Sequence, residues 1–182
     1  SIKKLDDEGL FPQDEWIITS KILPGQNFLE GKKEIKKILT DIGKSQIDNI
    51  AIHGLNIDDH MTWATTGEGA KLLDWAKEEN LVKQIGFSSH GSKSLITKAI
   101  KSKKFEFCSL HIHMLNQKNL PLAKLALKQG MGVMAISPAD KGGHLHTPSK
   151  ELREDCLPLA PIELAYRFLL AQGISTLTLG AK

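Results

Sequence analysis

Six short apolar runs, separated by longer amphipathic stretches, constrain this chain more than any other feature. The runs fall at residues 16–20, 47–53, 82–88, 105–111, 132–137 and 174–179, and β-branched residues are frequent in them. Between them, Ile35, Ile38, Leu39 and Ile42 recur at helical spacing, as do Leu72, Leu73 and Ala76 ahead of Asn80. Pro161 suits the first turn of a helix that runs to about residue 170, and Gly173 suits its end. Such alternation predicts βα units around a parallel sheet.

Two α/β architectures are built this way: the open doubly wound sheet and the closed (β/α)8 TIM barrel. No Gly-x-Gly-x-x-Gly turn follows an early strand, which disfavours the dinucleotide-binding form of the open sheet. Lys21, His53, Ser88 and Ser137 each fall at or just past the end of a different predicted strand. Barrel enzymes place their reacting groups there. A barrel of eight units takes roughly 250 residues, whereas this chain has 182. The expected fold is therefore one partial barrel domain over residues 1–182, of about six βα units. The first two strands and the last helix are expected to lie outside the sequence, an expectation that a chain beginning with Ser1 rather than methionine supports.

Charge and cysteine content narrow the function classes. The net charge of +3 comes from 24 basic and 21 acidic residues spread along the chain, with no single-sign block suited to nucleic acid or an anionic membrane. The lysines at 98, 101, 103 and 104 fall at a predicted helix end, where they favour the helix dipole and solvent. Cys108 and Cys156 belong to no metal or disulfide pattern. No apolar run spans a bilayer and the charged residues 1–8 do not form a signal peptide, so a cytoplasmic location is expected.

The polar strand ends carry the chemistry. A lysine ending an apolar strand either serves a site or extends to solvent, and a strand-end histidine alone is commonly a satisfied core group. Lys21 and His53 together, on one barrel rim, favour a site. The strand-end lysine after Ile-Ile-Thr-Ser, the strand ending at His53, the segment Ile85-Gly86-Phe87-Ser88-Ser89-His90 and Ile136-Ser137-Pro138 occur in the order and approximate spacing of the aldo-keto reductase family. Nearly the whole chain resembles that family. Gly86-Phe87-Ser88-Ser89-His90-Gly91 and the stretch from Ser137 to Leu145 resemble a bacterial subgroup of it, some of whose members carry a C-terminal iron-sulfur domain.

The resemblance implies reduction of aldehydes or ketones with NADP(H) or NAD(H), and small-molecule carbonyl substrates as partners. Hydride goes to the carbonyl carbon while a tyrosine gives its proton to the oxygen, assisted by a lysine that lowers the tyrosine pKa and an aspartate that pairs with the lysine. By position Lys21 and His53 carry over onto the lysine and the oxyanion-stabilising histidine. The aspartate and tyrosine belong to a segment that precedes Ser1, so this chain alone is expected to be inactive. Tyr166 reads as helix packing.

Ser88 and Ser89 stand where the family has a Ser-Asn pair on the nicotinamide carboxamide. Ala135-Ile136-Ser137 stands where it often has Ala-Tyr-Ser, with the tyrosine against the ring. Ser137 falls beside the cofactor in this alignment. Lys141, Gly142 and Gly143 form a loop suited to a pyrophosphate, while Gly180 and Lys182 begin the contacts to the adenosine ribose and its phosphate. No metal is expected. Two alternatives stand beside this reading. His111 and His113 share one strand face, a spacing that metallohydrolase barrels use for zinc, although further ligands are lacking. A barrel relative that binds a nucleotide or protein without turnover is the second.

Overall fold

The computed structural model describes residues 8–9 and 16–179. Residues 1–7, and with them most of the charged start of the chain, lie outside the described residues, as do Gly180 and Lys182. One sheet holds β1 (Thr19–Ile22), β2 (Ile47–Ile52), β3 (Val82–Ser89), β4 (Phe107–His111), β5 (Gly132–Ile136) and β6 (Thr176–Leu177). Helices α1 (Phe28–Ile42), α2 (Asp58–Thr65), α3 (Glu68–Glu78), α4 (Lys93–Lys101), α5 (Leu120–Lys128), α6 (Lys150–Asp155) and α7 (Pro161–Ala171) occupy the connections, with a 3-10 turn at Lys141–His146.

All five strand pairs are parallel, and the spatial order is the chain order. An open doubly wound sheet reverses its order at a switch point and carries helices on both faces. Right-handed crossovers in an order that never reverses put every helix on one face, which is the construction of a (β/α)8 barrel. The sheet is thus an incomplete barrel, an arc whose two edges among the described residues are β1 and β6.

Register assigns the faces. Ile22, Ile52, Phe87, Cys108 and Val133 lie side by side across five strands and are at most 1% exposed. They form one core with Ile35 and Leu39 of α1, Leu72 of α3, and Ile96 and Ile100 of α4. The apolar helical spacing of the sequence is therefore the face that each helix turns to the sheet. Burial in this layer raises the Cys108 thiol to a pKa of about 12. One position along each strand, on the opposite face, Lys21, Ala51, Gly86, Phe107 and Gly132 form the matching row. A Cβ on Gly86 would lie 2.6 Å from the Phe107 ring, so the glycine lets that ring lie across β3.

Several strand bounds differ from the sequence pattern for local reasons. The first strand begins at Thr19 rather than Trp16 because Ile17 is 79% exposed and the Ile18 N–H donates to Asp48 Oδ2 at 2.9 Å. At its other end β1 runs on to Ile22, which pairs with Ile52, so Lys21 lies within the strand instead of just past it. β4 begins at Phe107 rather than at residue 105, and the preceding Glu106 carboxylate accepts the Ile85 N–H at 2.5 Å. β5 stops at Ile136 because Ser137 adopts φ +56°. β6 is two residues long, although Ser175 and Thr178 still donate to Val133 and Ala135 of β5. Helix ends follow local rules: Asn27 and Glu30 form a capping box at α1, and Gly43 closes that helix at φ +71°.

Candidate functional site

Lys21 and His53 occupy the concave face of the arc at the C-terminal ends of adjacent strands. Ile22 and Ile52 are register partners with their side chains in the helix-facing core, and the His53 N–H continues the ladder to the Ile22 carbonyl at 2.8 Å. Alternation turns Lys21 and His53 the other way. Both are exposed. They sit on a diagonal, one strand apart and two residues along, which for standard strand spacing and rise is about 8 Å between Cα atoms. Neither side chain has an ion-pair or hydrogen-bond partner among the described residues.

The Ser88–Ser89 pair divides between the two faces. Ser88 is on the concave face, in the row above Gly86, and its hydroxyl accepts from the Gly54 N–H at 3.1 Å and donates to the Ile52 carbonyl at 3.4 Å. Ser89 points the other way and is fully buried; its hydroxyl donates to the Leu55 carbonyl at 2.5 Å and accepts the Gly91 N–H at 3.0 Å. Ser89 therefore fastens the end of β3 to the loop after β2, turned away from Lys21 and His53.

Two clefts open at the rim, one on each side of Asp140. The first, of about 450 Å³, is lined by Ser137, Gly142, Gly143, His146 and Thr178 among others. Gly142 and Gly143 have φ of +74° and +73°, a left-handed path that glycine takes without strain. The second, of about 340 Å³, is lined by His90, His111, His113, Asn116, Lys118 and Lys141 together with Asp140. The loop residues that the sequence groups together are thus split, Gly142 and Gly143 facing one cleft and Lys141 the other.

Asp140 forms the wall between them at φ +64°. Its carboxylate accepts the Lys141 N–H at 2.7 Å and lies 3.2 Å from His144 Nδ1 and 3.3 Å from His113 Nε2. The Lys141 N–H, followed by His144 and His113, holds its carboxyl below the ordinary range. β4 contributes a polar face that the sequence pattern underplayed. Ser109 Oγ, His111 Nδ1 and His113 Nδ1 are buried without a hydrogen-bond partner among the described residues. They recur at every second residue, opposite the apolar Cys108, Leu110 and Ile112. That period of two was the available signal. Burial, reinforced by His113, Lys141 and His90, holds the His111 imidazole below its usual range. Among the described residues, no group of three or more His, Cys, Asp or Glu side chains is placed to hold a metal ion.

The model of the Aldo/keto reductase family matches residues 3–158, most of the chain. The chain belongs to the aldo/keto reductase family. Solved aldo-keto reductases share its fold. One from Bacillus halodurans, in its holo form, is 20% identical, with a TM-score of 0.79 over 99% of this chain and 66% of its own length. One from a Medee basin deep-sea metagenome library is 18% identical, with a TM-score of 0.75 over 96% of this chain and 64% of its own. A third, from Brucella melitensis, is 20% identical, with a TM-score of 0.72 over 98% of this chain and 67% of its own. The chain thus spans about two thirds of the length of these aldo-keto reductases. No curated protein matches it significantly. Among the described residues of this family member, no helix is long and apolar enough to cross a membrane.

Proposed function

We propose that the protein carrying this chain is an NAD(P)H-dependent reductase of small aldehydes or ketones, with Lys21 and His53 at its reacting centre. The observation that carries this reading is the placement of those two side chains, exposed and unpaired, on the concave rim of a barrel arc. A bound nicotinamide would supply the hydride. His53 can donate a hydrogen bond to the carbonyl oxygen and stabilise the charge that develops there. The Lys21 ammonium, beside a proton donor contributed by the rest of the barrel, lowers that donor's pKa and favours proton release to the oxygen.

The nucleotide fits the first cleft. Ser137, Gly142, Gly143 and Thr178 would hold it, because left-handed glycines leave room for close approach of a phosphate to backbone N–H groups. Lys141 faces the other cleft, and Ser89 is committed to main-chain partners, which leaves Ser88, Ser109 and His111 as the concave-face groups nearest in row to His53. Ser109 Oγ and His111 Nδ1 are unpartnered there, so a polar ligand at the mouth would satisfy groups that otherwise carry a desolvation cost.

The test is a titration of the complete gene product with NADPH and NADH, followed by quenching of its tryptophan emission. Saturable binding with a Kd between about 1 μM and 1 mM is the expected result, within the range usual for enzyme ligands. A flat titration with both nucleotides up to millimolar concentration removes the reductase reading.

A further inference from the structure

The second cleft, between the β4 end and Lys141, has a character of its own. Two lysines, Lys118 and Lys141, line it, and neither ammonium has an ion-pair or hydrogen-bond partner among the described residues. The one carboxylate in its wall, Asp140, is already engaged by the Lys141 N–H, His144 and His113. His113 is only 4% exposed, lines the cleft and keeps an unpartnered Nδ1; the half-buried His111 beside it also lines the cleft with an unpartnered Nδ1. The walls are fixed from below, because Asn119 Nδ2 donates to the His111 carbonyl at 3.1 Å and the His113 N–H donates to Asn116.

Two free ammonium groups beside a carboxylate that is already engaged select an anion rather than a cation. A cation would face two like charges, and no set of three ligands is present among the described residues to offset them. An apolar ligand would leave the imidazole nitrogens unsatisfied. At about 340 Å³ the space accepts a small molecule. We propose that this cleft binds a small oxyanion, a carboxylate or phosphate group held by Lys118 and Lys141 beside His113, at a site separate from the nucleotide cleft across Asp140.

Calorimetric titration of the complete gene product with inorganic phosphate and with succinate, each with and without saturating NADP+, tests it. The expected result is single-site binding of at least one anion that persists in the presence of NADP+. Lys118→Met weakens that binding by about tenfold, the loss of one charge-assisted contact. Lys118 is exposed, so this variant keeps the fold; His113→Gln serves as the second arm and also weakens binding. Binding of phosphate alone assigns the site to phosphate esters, and binding of succinate alone assigns it to carboxylates. The proposal is overturned by absence of binding for both anions, by unchanged affinity in Lys118→Met, or by displacement with NADP+. If neither NADP+ nor NAD+ binds, the reductase reading fails while the anion arm still decides the cleft.

Discussion

Lys21→Met is expected to lower kcat/KM for aldehyde reduction in the complete gene product by about 10²–10⁴, the usual contribution of one general acid–base group. The substitution preserves length and apolar stem but removes the ammonium. Lys21 is exposed on the concave face and is partnered by no other described side chain, so no packing or ion pair is lost with the charge. Surface changes of that kind stay within about 0.5 kcal/mol in stability. Nucleotide affinity is expected to be unchanged because the cleft that fits the nucleotide is lined by other residues. Steady-state kinetics beside a fluorescence titration separate the two effects. Turnover at the wild-type rate in Lys21→Met would remove the lysine from the mechanism.

Phe87→Ala is expected to destabilise the fold by about 3–5 kcal/mol, measured as a fall in the urea midpoint at unchanged slope. Phe87 is fully buried between its register partners Ile52 and Cys108, and its ring meets that of Phe105 edge-on at 5.0 Å between centroids. Its removal opens a cavity where the middle of the sheet meets the helices, a place with no solvent to refill it. The predicted loss is large because neighbours on three elements would have to move to close the gap. A cost under about 1 kcal/mol would mean that this layer is not the core of the folded protein.

Much of this architecture was legible in the sequence because periodicity reports directly on burial. Each predicted strand exists, and Ile35, Leu39, Leu72, Leu73 and Ala76 turn to the sheet as helical spacing requires. The errors lie at strand ends: Asp48 on the Ile18 N–H delays the start of β1, and the pairing of Ile22 with Ile52 carries its end past Lys21. Ser88 and Ser89 read as a pair in sequence, yet adjacent strand residues face opposite sides, so one reaches the concave face and the other is sealed beneath the rim. Lys141 and Gly142 are likewise adjacent but face different clefts, because Asp140 and Gly142 both take left-handed backbone conformations and turn the loop between them. The hub that Asp140 makes with His113 and His144 joins residues 27 positions apart, and no local pattern announces it.

The chemistry proposed for this protein is hydride transfer at the rim defined by Lys21 and His53. The most direct measurement is reduction of a small aldehyde by the complete gene product with NADPH deuterated stereospecifically at the transferable C4 position. The expected product is an alcohol that carries the deuterium on the former carbonyl carbon, formed about 10²–10⁴-fold more slowly by Lys21→Met. Nucleotide that binds but yields no labelled alcohol from any of a panel of aldehydes and ketones would contradict it.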